Sequence, residues 1–401
     1  QPRMHVPHRP GYGDGQAFQG AEMDKPGNAL NALKTDEPMQ VTSDIDPIPS
    51  QTILVSCPNW VGDVVMATPT FECIRKNYPA ARIIGLIRKY AGGVVEDGPW
   101  FNDLIKVNDK TIRGLIKAAC RIRRLNPGMA FVLPNSFRSA LIARLGGAKK
   151  IYGYRRNGRS FLMSGGPLPL RENKRFIPRP MADYYLEICR RLDLKTPLQS
   201  RPRLFMSAAV QERARRLLKR YCISPGDTVI GMNPGAQFGS SKCWPPAHFA
   251  RLAELLSQRW KCKILLFIGP GEEDIGRKIV KLSHAKIINT GPDKVDLALL
   301  KPLIQRCRLL VTNDTGPRHY AVAFDIPVVV IMGPTDPRYT QSNLEKTIIL
   351  RRETECSPCH LKECTLDHRC MTEITPELVL QAGKQLLQER TGSNYRNFDT
   401  Y

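Results

Sequence analysis

Short runs of aliphatic and β-branched residues alternate with longer stretches of helical periodicity along most of the chain. Residues 52–57, 81–87, 104–107, 129–133 and 151–154 read as buried strands. The intervening pattern predicts helices over 64–77, 111–125 and 139–145, with Pro69 breaking the first or marking a first turn. An Arg/Gly-rich loop, 155–166, and a helix over 181–192 follow. Past a connection at 197–202 and an amphipathic basic helix at 208–221, the alternation resumes. Strands are expected near 228–235, 263–268, 286–289, 309–312, 328–332 and 347–350, and helices over 247–259, 272–282, 296–305 and 377–388. Strands that alternate with helices build parallel sheets with right-handed crossovers. The expected class is therefore α/β, in two similar halves: one domain over 50–202, a second over 203–375, and a closing helix and tail over 376–401. Residues 1–49, rich in Gly, Pro, Gln and Asp and without apolar periodicity, are expected to form a disordered extension.

A length of 401 residues suits two domains with a core each, and 42% apolar against 24% charged residues is a globular balance. No apolar run approaches the roughly 20 residues of a membrane span, and the start lacks a basic-then-apolar leader pattern, so a cytoplasmic location is expected. The net charge of +23 changes the picture, because it is unevenly spread. Residues 1–50 hold four basic and seven acidic side chains, whereas 110–179 hold seventeen Lys or Arg against Glu172 alone. Such a field attracts nucleic acid, an anionic membrane or a phosphorylated substrate. Aromatics are not interleaved with the basic run and no nucleic-acid-binding module is recognisable, which disfavours the first.

Four polar turns carry candidate chemistry. The run 309–312 ends in Asn313-Asp314-Thr315-Gly316-Pro317-Arg318-His319, a turn from a strand into a helix. In open α/β sheets ligands bind at such strand ends, and a helix N-terminus suits phosphate; helix capping by Asp314 or Thr315 explains the same residues. Asn59-Trp60-Val61-Gly62-Asp63 places a carboxylate at a helix start, either as a cap or as a general base at a cleft. In the loop 233–245, Ser240, Ser241 and Lys242 could cradle a diphosphate, although the spacing is not that of a Walker A loop. Glu272 and Glu273 follow Gly269-Pro270-Gly271, where a carboxylate could accept from ribose hydroxyls or cap the next helix. Asp44-Ile45-Asp46 has the form of a metal-binding Asp-x-Asp, but it precedes the first strand and reads as coincidence.

Taken in order, Gly62-Asp63 to Thr68-Pro69, Asn233-Pro234-Gly235-Ala236 to Lys242-x-Trp244-Pro245, and Asn313-Asp314-Thr315-Gly316-Pro317-x-His319 resemble the ADP-heptose:lipopolysaccharide heptosyltransferases of glycosyltransferase family 9. Asn135-Ser136-Phe137-Arg138-Ser139-Ala140 and Gly153-Tyr154-Arg155-Arg156-x-Gly158-Arg159 are most similar to the heptosyltransferase II branch. The resemblance covers about residues 50 to 390. It implies a GT-B fold, with two Rossmann-like domains facing each other across a cleft, the acceptor in the first and the nucleotide sugar in the second. It further implies an inverting, metal-independent transfer of L-glycero-D-manno-heptose from ADP-heptose to the heptosyl-Kdo2-lipid A core of a Gram-negative lipopolysaccharide.

In that light Asp63 would be the base, and Lys242 with Ser241 or Ser240 would stabilise the leaving diphosphate. Asp314 would hold heptose hydroxyls, Thr315 and Gly316 the phosphates, and Glu272 or Glu273 the ribose. His319 would either contact the donor or serve as a buried structural side chain. Asn59, Arg138, Arg155 and Arg156 would face the acceptor. A monomer at the inner face of the inner membrane, binding no nucleic acid, completes the expectation. A relative with a different acceptor hydroxyl, and a non-enzymatic polyanion-binding α/β protein, are the rival readings.

Eight of the twelve cysteines are scattered, several in apolar settings. Cys356, Cys359, Cys364 and Cys370 are clustered, with His360 and His368 nearby. Four thiols at these spacings fit a structural Zn²⁺, disulfides, or a reduced segment. The chemistry expected here requires no cofactor.

Overall fold

A computed structural model describes residues 51–108 and 111–388. The expected N-terminal extension, its Asp44-x-Asp46 pair and the last residues of the tail lie outside the described residues.

The first half is a five-stranded sheet made of β1 (Thr52–Ser56), β2 (Arg82–Arg88), β3 (Asp103–Val107), β4 (Met129–Val132) and β5 (Lys150–Tyr152), in the order β3-β2-β1-β4-β5. All its pairings are parallel, Ile53 lying beside both Ile83 and Met129. Helices α1 (Val61–Met66) and α2 (Thr68–Asn77) are separated at Ala67, and Pro69 sits in the first turn of α2, where its missing N–H costs nothing. The remaining helices of this half are the short α3 (Gly92–Val95), α4 (Ile112–Arg123), α5 (Phe137–Leu145) and α6 (Met181–Arg190). Thr111 and Ser136 cap α4 and α5 through their side chains. Between α5 and α6 the chain forms an antiparallel hairpin that periodicity did not indicate, β6 (Arg171–Glu172) with β7 (Arg175–Phe176). Its turn residues Asn173 and Lys174 both have positive φ, the geometry of a tight hairpin turn.

The second half begins with α7 (Ala208–Arg220) and has six parallel strands: β8 (Val229–Asn233), β9 (Lys263–Leu266), β10 (Ile287–Asn289), β11 (Leu309–Asn313), β12 (Val328–Ile331) and β13 (Thr347–Leu350), ordered β10-β9-β8-β11-β12-β13. They are covered by α8 (Pro246–Trp260), α9 (Glu273–Leu282), α10 (Leu297–Gln305), α11 (Gly316–Ala323), the one-turn α12 (Arg369–Thr372) and α13 (Pro376–Gln388). The closing helix α13 packs on α8 and on the sheet, so its apolar face belongs to the core of this half.

Strands covered on both faces read as apolar runs, which is why β8, β11 and β12 are buried along their whole length and turn polar only at the site end, at Asn233 in β8 and at Thr312 and Asn313 in β11. Alternate residues then serve different layers. Ile53 and Val55 join the apolar cluster that runs on into the second half through Leu299 and Tyr320, while Leu54 packs under α4 and α5. Charge also crosses between the halves: the ammonium of Lys301, on α10 and fully buried, lies 3.0 Å from Asp97 and 2.7 Å from the Phe205 carbonyl oxygen.

Both sheets have the topology of a doubly wound fold, and in each the strand order reverses beside its first strand, at β1/β4 and at β8/β11. The loops and helix starts that follow those four strands are the ones that carry Asp63, Asn135, Lys242 and Asp314. The fold is thus GT-B, two Rossmann-like halves with parallel sheets facing each other across a cleft.

Candidate functional site

Helix α1 packs directly on α11, so the two halves meet where their helix starts meet. A Cβ on Gly62 would lie 2.7 Å from the His319 ring, and one on Gly316 would lie 2.8 Å from the Val61 side chain. Only glycine allows both approaches. Trp60, half exposed, faces Phe238 of the second half with ring centroids 6.5 Å apart.

Asp63 stands in the first turn of α1. The residue in the capping position is Trp60, and it makes no side-chain cap bond, so the carboxylate is not spent on closing the helix. Burial between the two halves pushes its carboxyl up to about 7, with Lys242 pulling the value down and Asp314 raising it. The carboxyl therefore changes charge near neutral pH.

Across the junction, Asp314 directly follows β11 and is itself buried. Its Oδ1 accepts from Arg318 Nη1 at 2.7 Å, and its Oδ2 accepts from Lys242 Nζ at 3.0 Å and from the Thr335 hydroxyl at 2.8 Å. Burial alone would raise its pKa, but Arg318 and Lys242 outweigh that and hold the carboxyl well below the usual carboxylate range. Three protein donors thus share the carboxylate, two on Oδ2 and one on Oδ1. What the carboxylate does in this geometry is aim Lys242, whose ammonium also donates to the Asp314 carbonyl and lies 5.1 Å from the Phe238 ring centre.

Thr315 precedes α11 without capping it, and its hydroxyl accepts from Asn233 Nδ2 at 3.2 Å. Gly316 opens the helix beside α1, so the positive end of α11 faces the cleft. Buried His319 is held neutral: burial, with Arg318 adding to it, brings its pKa down to about 3. Its ring packs on Gly62.

The two serines of the Lys242 loop separate. Ser240 is exposed, whereas the Ser241 hydroxyl is buried and donates to the Leu361 carbonyl at 2.6 Å. The Ser241 backbone is tied to the same segment, through Lys362 O at 3.0 Å and His368 Nε2 at 2.7 Å. Ser241 thus anchors the loop rather than presenting a donor to a ligand. The glutamates separate as well. Glu272 lies over Gly235 at the end of β8, accepts from Gly269 N at 2.9 Å and has its pKa raised by burial. Glu273 is exposed and accepts from Gly271 N at 3.2 Å.

On the side of the first half, the Asn59 carbonyl accepts from the Tyr90 hydroxyl, and Arg138 Nη1 donates to the Thr111 carbonyl at 3.0 Å. Arg155 is exposed, while Arg156 turns inward over the Phe176 ring, 3.8 Å from its centre. The fully buried Arg159 braces the whole loop through the carbonyls of Tyr154, Pro134 and Ser136.

All twelve cysteines are free thiols. Cys370 is buried, and burial, with Cys356, Cys364 and Cys359 nearby, pushes its thiol up to about 11. Among the described residues, no three His, Cys, Asp or Glu side chains stand close enough to hold a metal ion. The segment that carries these cysteines instead supplies the carbonyls and the imidazole that brace Ser241.

Several residues of the site were not anticipated. Arg318 had a signal, its i,i+4 spacing from Asp314 across a helix start. Thr335 and Phe238 had none, since they reach Asp314 and Lys242 only through the folded second half, and the place of Trp60 depends on how the halves meet.

Comparison with known proteins converges on one group. The chain is 28% identical over 352 residues to lipooligosaccharide heptosyltransferase 2 of Haemophilus influenzae, spanning 84% of this chain and 99% of that protein. Among solved structures, ADP-heptose lps heptosyltransferase II of E. coli superposes with a TM-score of 0.71 at 26% identity, covering 85% of this chain and all of that one. The glycosyl transferase family 9 protein of Veillonella parvula, at 24% identity and a TM-score of 0.73 over 84% and 97% of the two chains, shares the fold. The model of glycosyltransferase family 9 (heptosyltransferase) matches residues 116–369, and the chain belongs to that family.

Proposed function

We propose that this chain transfers L-glycero-D-manno-heptose from ADP-heptose to the heptosyl-Kdo2-lipid A inner core of lipopolysaccharide, by a single displacement that inverts the anomeric centre. The observation that carries the reading is Asp63, a carboxyl raised to about 7 at the seam of the halves and facing the Lys242–Asp314 pair. The names of the aligned relatives support the substrate pair.

In this mechanism Asp63 takes the proton of the acceptor hydroxyl, and the freed oxygen attacks the anomeric carbon of the heptose. The bond from that carbon to the diphosphate breaks, and ADP leaves with the electron pair. Lys242, aimed by Asp314, and the N–H groups that open α11 at Thr315 and Gly316 meet the charge that develops on the diphosphate. This supply of positive charge is the basis for proposing metal independence. Ser240 takes the hydroxyl role at the phosphates, and Glu272, directed at the end of β8, takes the ribose in preference to Glu273. Asn59, Arg138, Arg155 and Arg156 receive the acceptor, and the cationic first half matches its phosphates and acid sugars. The site of action is the cytoplasmic face of the inner membrane, with the protein peripheral and monomeric; among the described residues no helix is long and apolar enough to span a bilayer.

The test is incubation with ADP-heptose and purified precursors, read by mass spectrometry. A gain of one heptosyl mass on the monoheptosyl acceptor, and none on the Kdo-only acceptor, is expected. Absence of ADP release with either acceptor would remove the reading.

A further inference from the structure

A line of contacts leads outward from the buried Asp314 carboxylate. It passes to the Lys242 ammonium at 3.0 Å, from there to the Phe238 ring centre at 5.1 Å, and on to the Trp60 ring, 6.5 Å from that of Phe238. Exposure rises along it: 9% and 13% for the side chains of Asp314 and Lys242, intermediate for Phe238, and 51% for Trp60. The charges are therefore the inner layer and the two rings the outer one. Phe238 belongs to the second half and Trp60 to the first, three residues ahead of Asp63, so the outer layer spans the seam.

Both rings stand on fixed backbone. The Tyr90 hydroxyl donates to the carbonyl of Asn59, immediately before Trp60, and the Trp60 carbonyl accepts from Val64 N at 2.9 Å as α1 begins. On the other side, Gly239 N donates to the Ala236 carbonyl at 3.2 Å and closes a turn around Phe238.

The spacing of the rings decides what they can do. A sugar held between two ring faces needs a van der Waals contact of about 3.5–4.0 Å on each side, hence roughly 7–8 Å between parallel rings. At 6.5 Å and an interplanar angle of 54°, the pair is too close and too tilted for that. It forms a wall, with the reacting groups beneath it. Phe238 has no hydrogen-bonding atom and Trp60 has one donor, so the wall offers water little.

Water is the natural competitor here. A carboxylate able to take a proton from a sugar hydroxyl can take one from water, and the positive charge at Lys242 and α11 assists departure of the diphosphate in either case. In the leak, a water oxygen bonds to the anomeric carbon, the bond from that carbon to the diphosphate breaks with its electron pair leaving on ADP, and one water proton passes to Asp63. The products are free heptose and ADP.

We propose that Trp60 and Phe238 are specificity-determining residues of the transfer, closing the seam over the reacting carbon so that the acceptor hydroxyl, and not water, receives the sugar. The proposal rests on the heptosyl-transfer reading given above and deepens it by assigning the discrimination against water.

The test measures ADP, free heptose and heptosylated acceptor in one reaction for the unaltered protein and for Trp60→Ala, Phe238→Ala and Trp60→Phe. The unaltered protein should release ADP in step with transfer and almost none without acceptor. Each alanine variant should raise free heptose relative to transfer roughly three- to tenfold, the worth of an aromatic contact. Trp60→Phe, which keeps a ring, should retain most of the coupling. An unchanged ratio in both alanine variants, or a fall in transfer with no rise in free heptose, overturns the proposal. Phe238→Ala, on the other half, carries the same test if Trp60→Ala does not fold. If the unaltered protein transfers nothing, the functional reading fails separately. The wall is then tested without substrate, by acetylating the protein with acetic anhydride and following Lys242 by peptide mass spectrometry. Trp60→Ala, which removes no contact of Lys242 itself, should label there severalfold faster than the unaltered protein, and equal rates overturn the proposal.

Discussion

Lys242 Nζ lies 3.0 Å from Asp314 Oδ2, with only 13% and 9% of the two side chains exposed. Arg318 on the other oxygen makes the cluster two cations to one anion, so it carries a net positive charge beside the positive end of α11. A buried pair of this kind is poor evidence for added stability, because desolvation offsets much of the attraction. Its value lies in direction, since it fixes an ammonium that would otherwise swing on four methylenes.

Lys242→Ala should therefore lower kcat by about 10²- to 10³-fold, as expected for loss of one preorganised charge at a leaving group. ADP affinity, measured by calorimetry, should fall with it. Asp314→Asn should produce part of the same loss with Lys242 still present, which a ligand-gripping role limited to sugar hydroxyls would not give in ADP binding.

Asp63→Asn should nearly abolish turnover while ADP still binds. In the unaltered protein kcat/KM should rise with pH through about 7, since the base is active only after losing its proton. Activity that is flat from pH 5.5 to 8.5, with chemistry limiting, would contradict the assignment.

The same two carboxyls act oppositely on stability. The folded state keeps a proton on Asp63 from the unfolded value of about 4 up to about 7, so ionising it costs stability as pH rises through that window. Asp314 is held below the usual range, so its contribution is present above the unfolded value and is lost only as pH falls towards its folded value. Thermal melts should show Asp63→Asn gaining on the unaltered protein between pH 5 and 8. Asp314→Asn should lose most at neutral pH and converge with it in acid.

Gly62→Ala forces a methyl group to within 2.7 Å of the His319 ring. The halves should part slightly at α1 and α11, with a drop in kcat/KM of roughly tenfold or more for a displacement on the order of 1 Å. His319→Ala in the same chain should restore part of the loss, and small-angle scattering can follow the opening.

Lys301→Ala leaves Asp97, across the halves, and the Phe205 carbonyl without their partner. Denaturant melts should show a loss of about 3–5 kcal/mol, the cost of breaking a buried pair from one side. Lys301→Met, which keeps the stem packed, should lose less.

Much of the fold was legible because parallel strands buried on both faces read as short apolar runs, as β8 and β11 do up to their polar last residues. Pro69 likewise announced the division between α1 and α2. The hairpin β6–β7 was not legible: it is two residues a side, Arg-Glu against Arg-Phe, with no alternation to detect. At the site, strand-end position could be read for Asp63, Lys242 and Asp314, but direction could not. That Ser241 turns down to Leu361 while Ser240 stays exposed depends on a segment 120 residues away. That Asp314 accepts from protein donors depends on Lys242, 72 residues away, and on Thr335. Sequence spacing holds no record of such pairings.

The reciprocal glycines at the seam have a consequence for inheritance. Gly62 makes room for His319, and Gly316 makes room for Val61, so each half leaves a vacancy shaped by a side chain of the other. What either position tolerates is set in a different domain of the same gene product. A chimaera joining the first half of one family member to the second half of another would carry intact sheets and intact loops, and its mismatch would surface first at these two backbone positions.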